Sequence, residues 1–116
     1  MPNRDLSEYL PLKAAWLHIL LALAEGSRHG YAIRASVEER SEGRVRLWPA
    51  TLYGSIRDMV AEGLIAEVAG EPAPDDDPRR RYYDLTGFGR EVLQAEVRRL
   101  AKLVEAARLA QVVAET

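Results

Sequence analysis

The stretch PATLYGSIRDMVAEGLIAEV, residues 49–68, carries three structural signals in order. Pro49 stands where a proline opens a helix, because its missing N–H has no intrahelical partner there anyway. Leu52, Ile56, Met59 and Val60 then recur at four, three and one, the spacing of a single helical face. Gly63 closes that helix. Leu64-Ile65-Ala66-Glu67-Val68 follows as a mostly apolar run, which predicts a strand.

Reading outward extends the pattern both ways. Downstream, Gly70, Glu71, Pro72, Pro74 and Asp75 to Asp77 make a polar, breaker-rich loop. Arg79-Arg80-Arg81-Tyr82-Tyr83-Asp84-Leu85 returns as a second strand, so Leu64–Val68 and Arg81–Leu85 form a hairpin with a long tip. Upstream, Leu12, Trp16, Ile19, Leu20 and Leu23 predict a first helix from about Pro11 to Glu25, closed by Gly26. Ser27 to Gly30 reads as a connector. Tyr31, Ile33 and Val37 mark a second helix ending near Arg40, and Ser41-Glu42-Gly43 breaks it. Arg44-Val45-Arg46-Leu47 alternates polar with apolar and predicts a short strand.

Thr86 opens a last helix that runs to about Val113. Leu93, Val97, Leu100, Val104 and Ala107 fall at four, three, four and three, the seam of a coiled coil. Val92, Leu103 and Val112 widen it. Such a stripe requires cover, and a second copy of the chain supplies it, with Trp16 of the first helix at the same interface. The expected fold is mainly α with a small β hairpin: a winged helix-turn-helix plus a C-terminal dimerisation helix. The expected domains are residues 1–85, the DNA-binding unit with its N-terminal arm and helix, and residues 86–116. In this arrangement the third helix enters a DNA major groove and the hairpin flanks it as a wing. The same order occurs in folds that bind only protein.

Composition narrows the classes. A chain of 116 residues hides roughly two thirds of its unfolded surface and holds its own core. There is no cysteine, which removes disulfides, thiolate catalysis and cysteine-based metal sites. No run of 18 apolar residues spans a membrane. Met1 to Leu6 lacks the pattern of a signal peptide, and a reducing cytoplasm is the expected location. Net charge is −2, with 16 basic against 18 acidic residues. Fourteen of the basic residues are arginine. Arginine forks suit phosphate and guanine, but a GC-rich genome also encodes them. His18 and His29 are the only histidines. No metalloprotease helix, phosphate loop or nucleophile elbow is present, and the carboxylates read as solvated. No enzyme activity, cofactor or metal is expected.

Four blocks now stand in order: His29-Gly30-Tyr31, Pro49-Ala50-Thr51-Leu52-Tyr53, Glu62-Gly63-Leu64-Ile65, and Arg80-Arg81-Tyr82-Tyr83-Asp84-Leu85-Thr86 followed by Gly89-Arg90. Together they resemble the PadR family of bacterial transcription regulators, over about Leu12 to Arg90. The single terminal helix is similar to the smaller subgroup. The resemblance implies a homodimer, operator DNA, repression and often a small-molecule effector between subunits. This chain departs from the family in three places. Trp48 replaces a small capping residue, and a poor N-cap costs about 1 kcal/mol. Gly54 replaces a proline, and Asp58 stands where an arginine is usual, with Arg57 beside it.

On a wheel of about 100° per residue, Ala50, Gly54, Arg57 and Ala61 lie opposite Leu52, with Thr51, Tyr53 and Asp58 flanking. Thr51, Tyr53, Gly54 and Arg57 are therefore the candidate groove contacts. Tyr53 also reads as a structural tyrosine, and Asp58 as the partner of a nearby arginine. Arg79, Arg80 and Arg81 are candidate wing contacts, with strand alternation sending Arg81 and Tyr83 to one face and Arg80 and Tyr82 to the other. Arg28 and His29 sit where a helix start favours phosphate, and a turn-building role for His29 stands beside that reading. Arg44 and Arg46 read as plain surface. Trp16 reads either as core or as part of an effector pocket. A winged-helix dimer that acts mainly as a ligand sensor or protein-binding module is the alternative function.

Overall fold

The structure, a computed structural model, describes residues 5–70 and 77–112. A short 3-10 helix, Leu6–Tyr9, is followed by α1 (Ala14–Ala24), β1 (Arg28–His29), α2 (Gly30–Arg40), α3 (Pro49–Ala61), β2 (Ile65–Val68), β3 (Tyr82–Leu85) and α4 (Gly87–Leu109). The sheet is antiparallel, in the order β1-β3-β2. Ile65 pairs with Leu85 and Val68 with Tyr82, while Arg28 pairs with Tyr83 and His29 with Tyr82. The core is one cluster. Ile19, Leu20 and Leu23 of α1 meet Ile33 and Val37 of α2, Leu52, Ile56 and Met59 of α3, and Val92 and Leu93 of α4.

The hairpin, the three helices and the long terminal helix stand where the sequence places them. Four details differ. The segment 27–30 is not a plain connector, because Arg28–His29 is the third strand of the sheet. Conversely, residues 44–47 form no strand. Strand β3 has two edges, and β1 and β2 occupy both. The segment is instead pinned by Ser41, whose hydroxyl accepts the Val45 N–H at 2.9 Å, while Leu47 turns into the core. The first helix begins at Ala14, so Pro11 precedes it and does not stand in its first turn. The terminal helix ends at Leu109; Val113 lies outside the described residues, as do Asp75 and Asp76.

Two contacts fix α4. Thr86 caps it: its hydroxyl accepts the Gly89 N–H at 2.9 Å and donates to the Gly63 carbonyl at 2.6 Å. The Thr86 N–H donates to the Leu64 carbonyl at 3.1 Å. Gly89 is needed because a Cβ there would stand 1.8 Å from the Leu64 carbonyl oxygen. Two turns further, Glu96 is 1% exposed, which corrects the reading of the carboxylates as uniformly solvated. It accepts the Leu12 N–H at 2.9 Å and binds the Arg99 guanidinium. The Arg99 hydrogen bond holds its carboxyl below the usual glutamate range, against the opposing effect of burial.

Gly89→Ala is expected to cost about 3 kcal/mol, the upper part of the overpacking range, because the clash is with backbone that no rotamer relieves. Urea unfolding measures this, and a loss below 1 kcal/mol would show that α4 can lift away freely. Glu96 stabilises the fold fully above the ordinary glutamate range, and this contribution is lost as pH falls through its lowered value. Glu96→Gln keeps an acceptor for Leu12 but cannot titrate. Its stability is therefore expected to fall less steeply than the wild type's below about pH 4.3; parallel acid limbs would count against the assignment.

Candidate nucleic-acid interface

Helix α3 buries Leu52, Ile56 and Met59 and turns its other face outward. Thr51 and Arg57 are exposed on that face. A Cβ at Gly54 would meet nothing within 4 Å, so packing does not demand glycine there. The bare position lets backbone approach a surface closely. Val60, read as core, lies at the stripe's edge and is 40% exposed. Arg57 Nε lies 3.3 Å from Asp58 Oδ1, so the aspartate does partner an arginine.

Tyr53 is 53% exposed. Its ring edge and hydroxyl lie over Gly30, where a Cβ would stand 2.8 Å from both. Gly30 thus lets the start of α2 and the middle of α3 close together. The Tyr83 phenol is held above its ordinary value, by burial first and then by the Glu67 carboxylate.

The three wing arginines diverge. Arg79 is tied to Asp77, with contacts of 3.2 and 3.1 Å to the two carboxylate oxygens. That pairing holds the Asp77 carboxyl below its usual value. Arg80 sits 5.9 Å over the Tyr31 ring, and its Nη1 is 3.0 Å from His29 Nε2. Arg81 faces the other way, its Nε 3.6 Å from Glu67 Oε1. A groove of about 370 Å³ between α2, α3 and the wing is lined by His29, Tyr31, Tyr53, Tyr83 and the three arginines.

His29 has two roles. Its Nδ1 accepts the Ala32 N–H at 3.1 Å and so caps α2. Its Nε2 lies 3.0 Å from Arg80 Nη1, so the ring also holds the guanidinium at the groove. A guanidinium, which only donates, suits an acceptor oxygen such as a phosphate's. Arg28 is engaged elsewhere: its Nε donates to the Ala22 carbonyl at 3.0 Å and its Nη2 to Glu25 at 2.9 Å. Its guanidinium completes the end of α1.

The terminal seam divides. Leu93 is 5% exposed inside its own subunit. Leu100 and Ala107 are half-buried, and Val97 and Val104 are exposed. Trp16 is half-buried against the core, with the Lys13 ammonium 5.1 Å from its ring. Among the described residues no cluster of metal-ligating side chains occurs, and no helix is long and apolar enough to cross a membrane. Sequence reading left the orientation of Trp48 open and overlooked three groups here: Tyr31 under Arg80, the Glu67 partner of Arg81, and Arg34 against the Trp48 ring.

Three core helices, a sheet-borne wing and a projecting α3 define the winged-helix class. The transcriptional regulator PadR-like family matches residues 19–95. The chain belongs to that family, whose members are transcriptional regulators and not enzymes. It is 37% identical over 89 residues to a 37.1 kDa protein of transposon TN4556 of Streptomyces fradiae, covering 77% of this chain and 24% of that protein. It thus spans about a quarter of that relative's length. A PadR family regulator from Clostridium difficile superposes with a TM-score of 0.69 at 21% identity, over 85% of this chain and 99% of that one. Bacillus subtilis PadR, solved with operator DNA, superposes with a TM-score of 0.63 at 20% identity, over 73% of this chain and 47% of that one.

Proposed function

We propose that this PadR-family regulator is a homodimeric repressor that binds a pseudo-palindromic operator. The observation that carries the proposal is the outward face of α3, where Thr51, Gly54 and Arg57 stand beside a wing that carries Arg79, Arg80 and Arg81. The operator complex of Bacillus subtilis PadR, which has the same fold, supports it. Residues 1–85 form the DNA-binding unit and residues 86–116 the dimerisation unit, carried by α4, whose first turns also serve the core. Thr51 and Arg57 meet the groove, with Tyr53 at its margin, and the open side of Gly54 lets the helix approach. His29, Arg80 and Arg81 grip phosphates, and Arg79 joins them when it leaves Asp77. Arg28 is excluded, because α1 and Glu25 hold it.

The seam of exposed Val97 and Val104 and half-buried Leu100 and Ala107 meets its copy on a second subunit, with Trp16 flanking it. Two α3 helices then reach successive major grooves about 10 bp apart, and occupancy blocks polymerase. A small molecule lodged near Trp16, between subunits, would change their angle and release the operator. The protein acts in the cytoplasm, where bacterial DNA lies.

Titration into labelled duplex from upstream of its own gene, against a scrambled duplex, tests the reading. The expected result is a specific complex whose affinity falls by about 0.9 log unit per log unit of salt for each phosphate neutralised. Arg57→Ala is expected to weaken specific binding about tenfold or more, within the 1–3 kcal/mol range of one base contact. Val104→Asp is expected to give a monomer in ultracentrifugation. Equal affinity for both duplexes, together with genome-wide capture of no preferred fragment, would instead favour a protein-binding module.

A further inference from the structure

Trp48 stands at the N-cap of α3 and makes no side-chain cap bond. A serine, threonine or aspartate there would stabilise the helix by about 1 kcal/mol. Helix stability therefore does not explain this residue. Nor does burial, since Trp48 is 62% exposed, although tryptophan is usually among the well-covered side chains. Its indole N–H, a donor only, takes no part in capping the helix.

The ring is nonetheless held in place. The Arg34 guanidinium of α2 lies 5.8 Å from its centroid, in cation–π range. Arg34 is steadied in turn by Glu38, 3.4 Å away along the same helix. The pair bridges the two helices of the helix-turn-helix at the leading end of α3. In such motifs that end enters the groove, while the preceding helix crosses the backbone.

We infer that Trp48 and Arg34 form a further DNA contact at the outer edge of each half-site. This rests on the DNA-binding reading above. The indole N–H donates to a phosphate oxygen and the ring packs on the adjoining deoxyribose. The guanidinium, kept against the ring, takes the next phosphate. Trp48 thus replaces a capping residue with a contact that only DNA completes.

The test uses full-length protein labelled with 5-fluorotryptophan, which gives one fluorine resonance each for Trp16 and Trp48. Trp48→Phe assigns them. The probes are a duplex selected by the protein from a random-sequence library and a scrambled duplex at low salt, with binding followed independently by anisotropy. The Trp48 resonance is expected to shift on saturation. Trp48→Ala is expected to weaken binding about tenfold, with Trp48→Phe in between, because it keeps the ring and loses the donor. Arg34→Ala is expected to lower the salt slope by about 0.9, the effect of one phosphate. If the duplex binds while the Trp48 resonance stays still and Trp48→Ala binds within twofold of wild type, the inference falls and the DNA-binding reading stands. If no duplex binds, both fall.

Discussion

The close approach of Gly89 to the Leu64 carbonyl is the constraint on which the rest of the molecule depends. It brings three elements to one point: the end of α3, the start of β2 and the first turn of α4. Thr86 completes the joint from both sides, donating to Gly63 and capping α4 through Gly89. Gly63 has a φ of 77°, in the left-handed region that glycine adopts without penalty. The helix that faces outward and the helix with the exposed apolar seam therefore share one rigid corner. The two helices meet there through backbone at Gly89 and Leu64 and through the short Thr86 side chain.

Glu96 supplies the second restraint on α4. It binds the backbone of residue 12, so the start of the chain is strapped across the terminal helix. Tyr9 adds to the strap, packing edge-on against Phe88 at 5.6 Å and donating to Glu62 at 2.8 Å. Buried charge is tolerated here because its lone pairs are filled by a backbone N–H and a guanidinium. Beyond Glu96 the helix leaves the core, and its apolar residues become exposed. One continuous helix thus serves two environments, and the change falls within a turn of the strap.

The fold was legible wherever periodicity carried the signal. Leu52, Ile56 and Met59 predicted both the buried face of α3 and, by subtraction, its outward residues. The hairpin was legible from its breakers. Strand β1 was not, because two polar residues show no alternation and their partner, Tyr82–Tyr83, is chosen only in three dimensions. Residues 44–47 alternate well but pair with no strand of the sheet, and Ser41 holds them instead. Glu96 lies on the stripe of Val92 and Leu93, yet a carboxylate on that face is readable as buried only once its acceptor role toward residue 12, 84 positions away, is known. Within the site, the outward residues of α3 were legible. The engagement of Arg28 with the end of α1 was not, since it depends on a carbonyl that sequence does not locate.

The acidic partners of the site arginines give the net charge of −2 a physical meaning. Arg57 faces Asp58, Arg79 faces Asp77 and Arg81 faces Glu67, all at exposed positions. Exposed pairs of this kind contribute about 0–1 kcal/mol each. Releasing them is cheap when a phosphate offers a charge-assisted bond in return. The carboxylates nevertheless remain beside whatever the arginines grip, where they repel a polyanion that is not correctly placed. An isolated arginine would hold any phosphate within reach. A paired one favours an arrangement in which the guanidinium can swing clear of its own carboxylate. On the proposed DNA-binding function, the acids trade affinity for discrimination, and an acidic balance is compatible with a face suited to DNA.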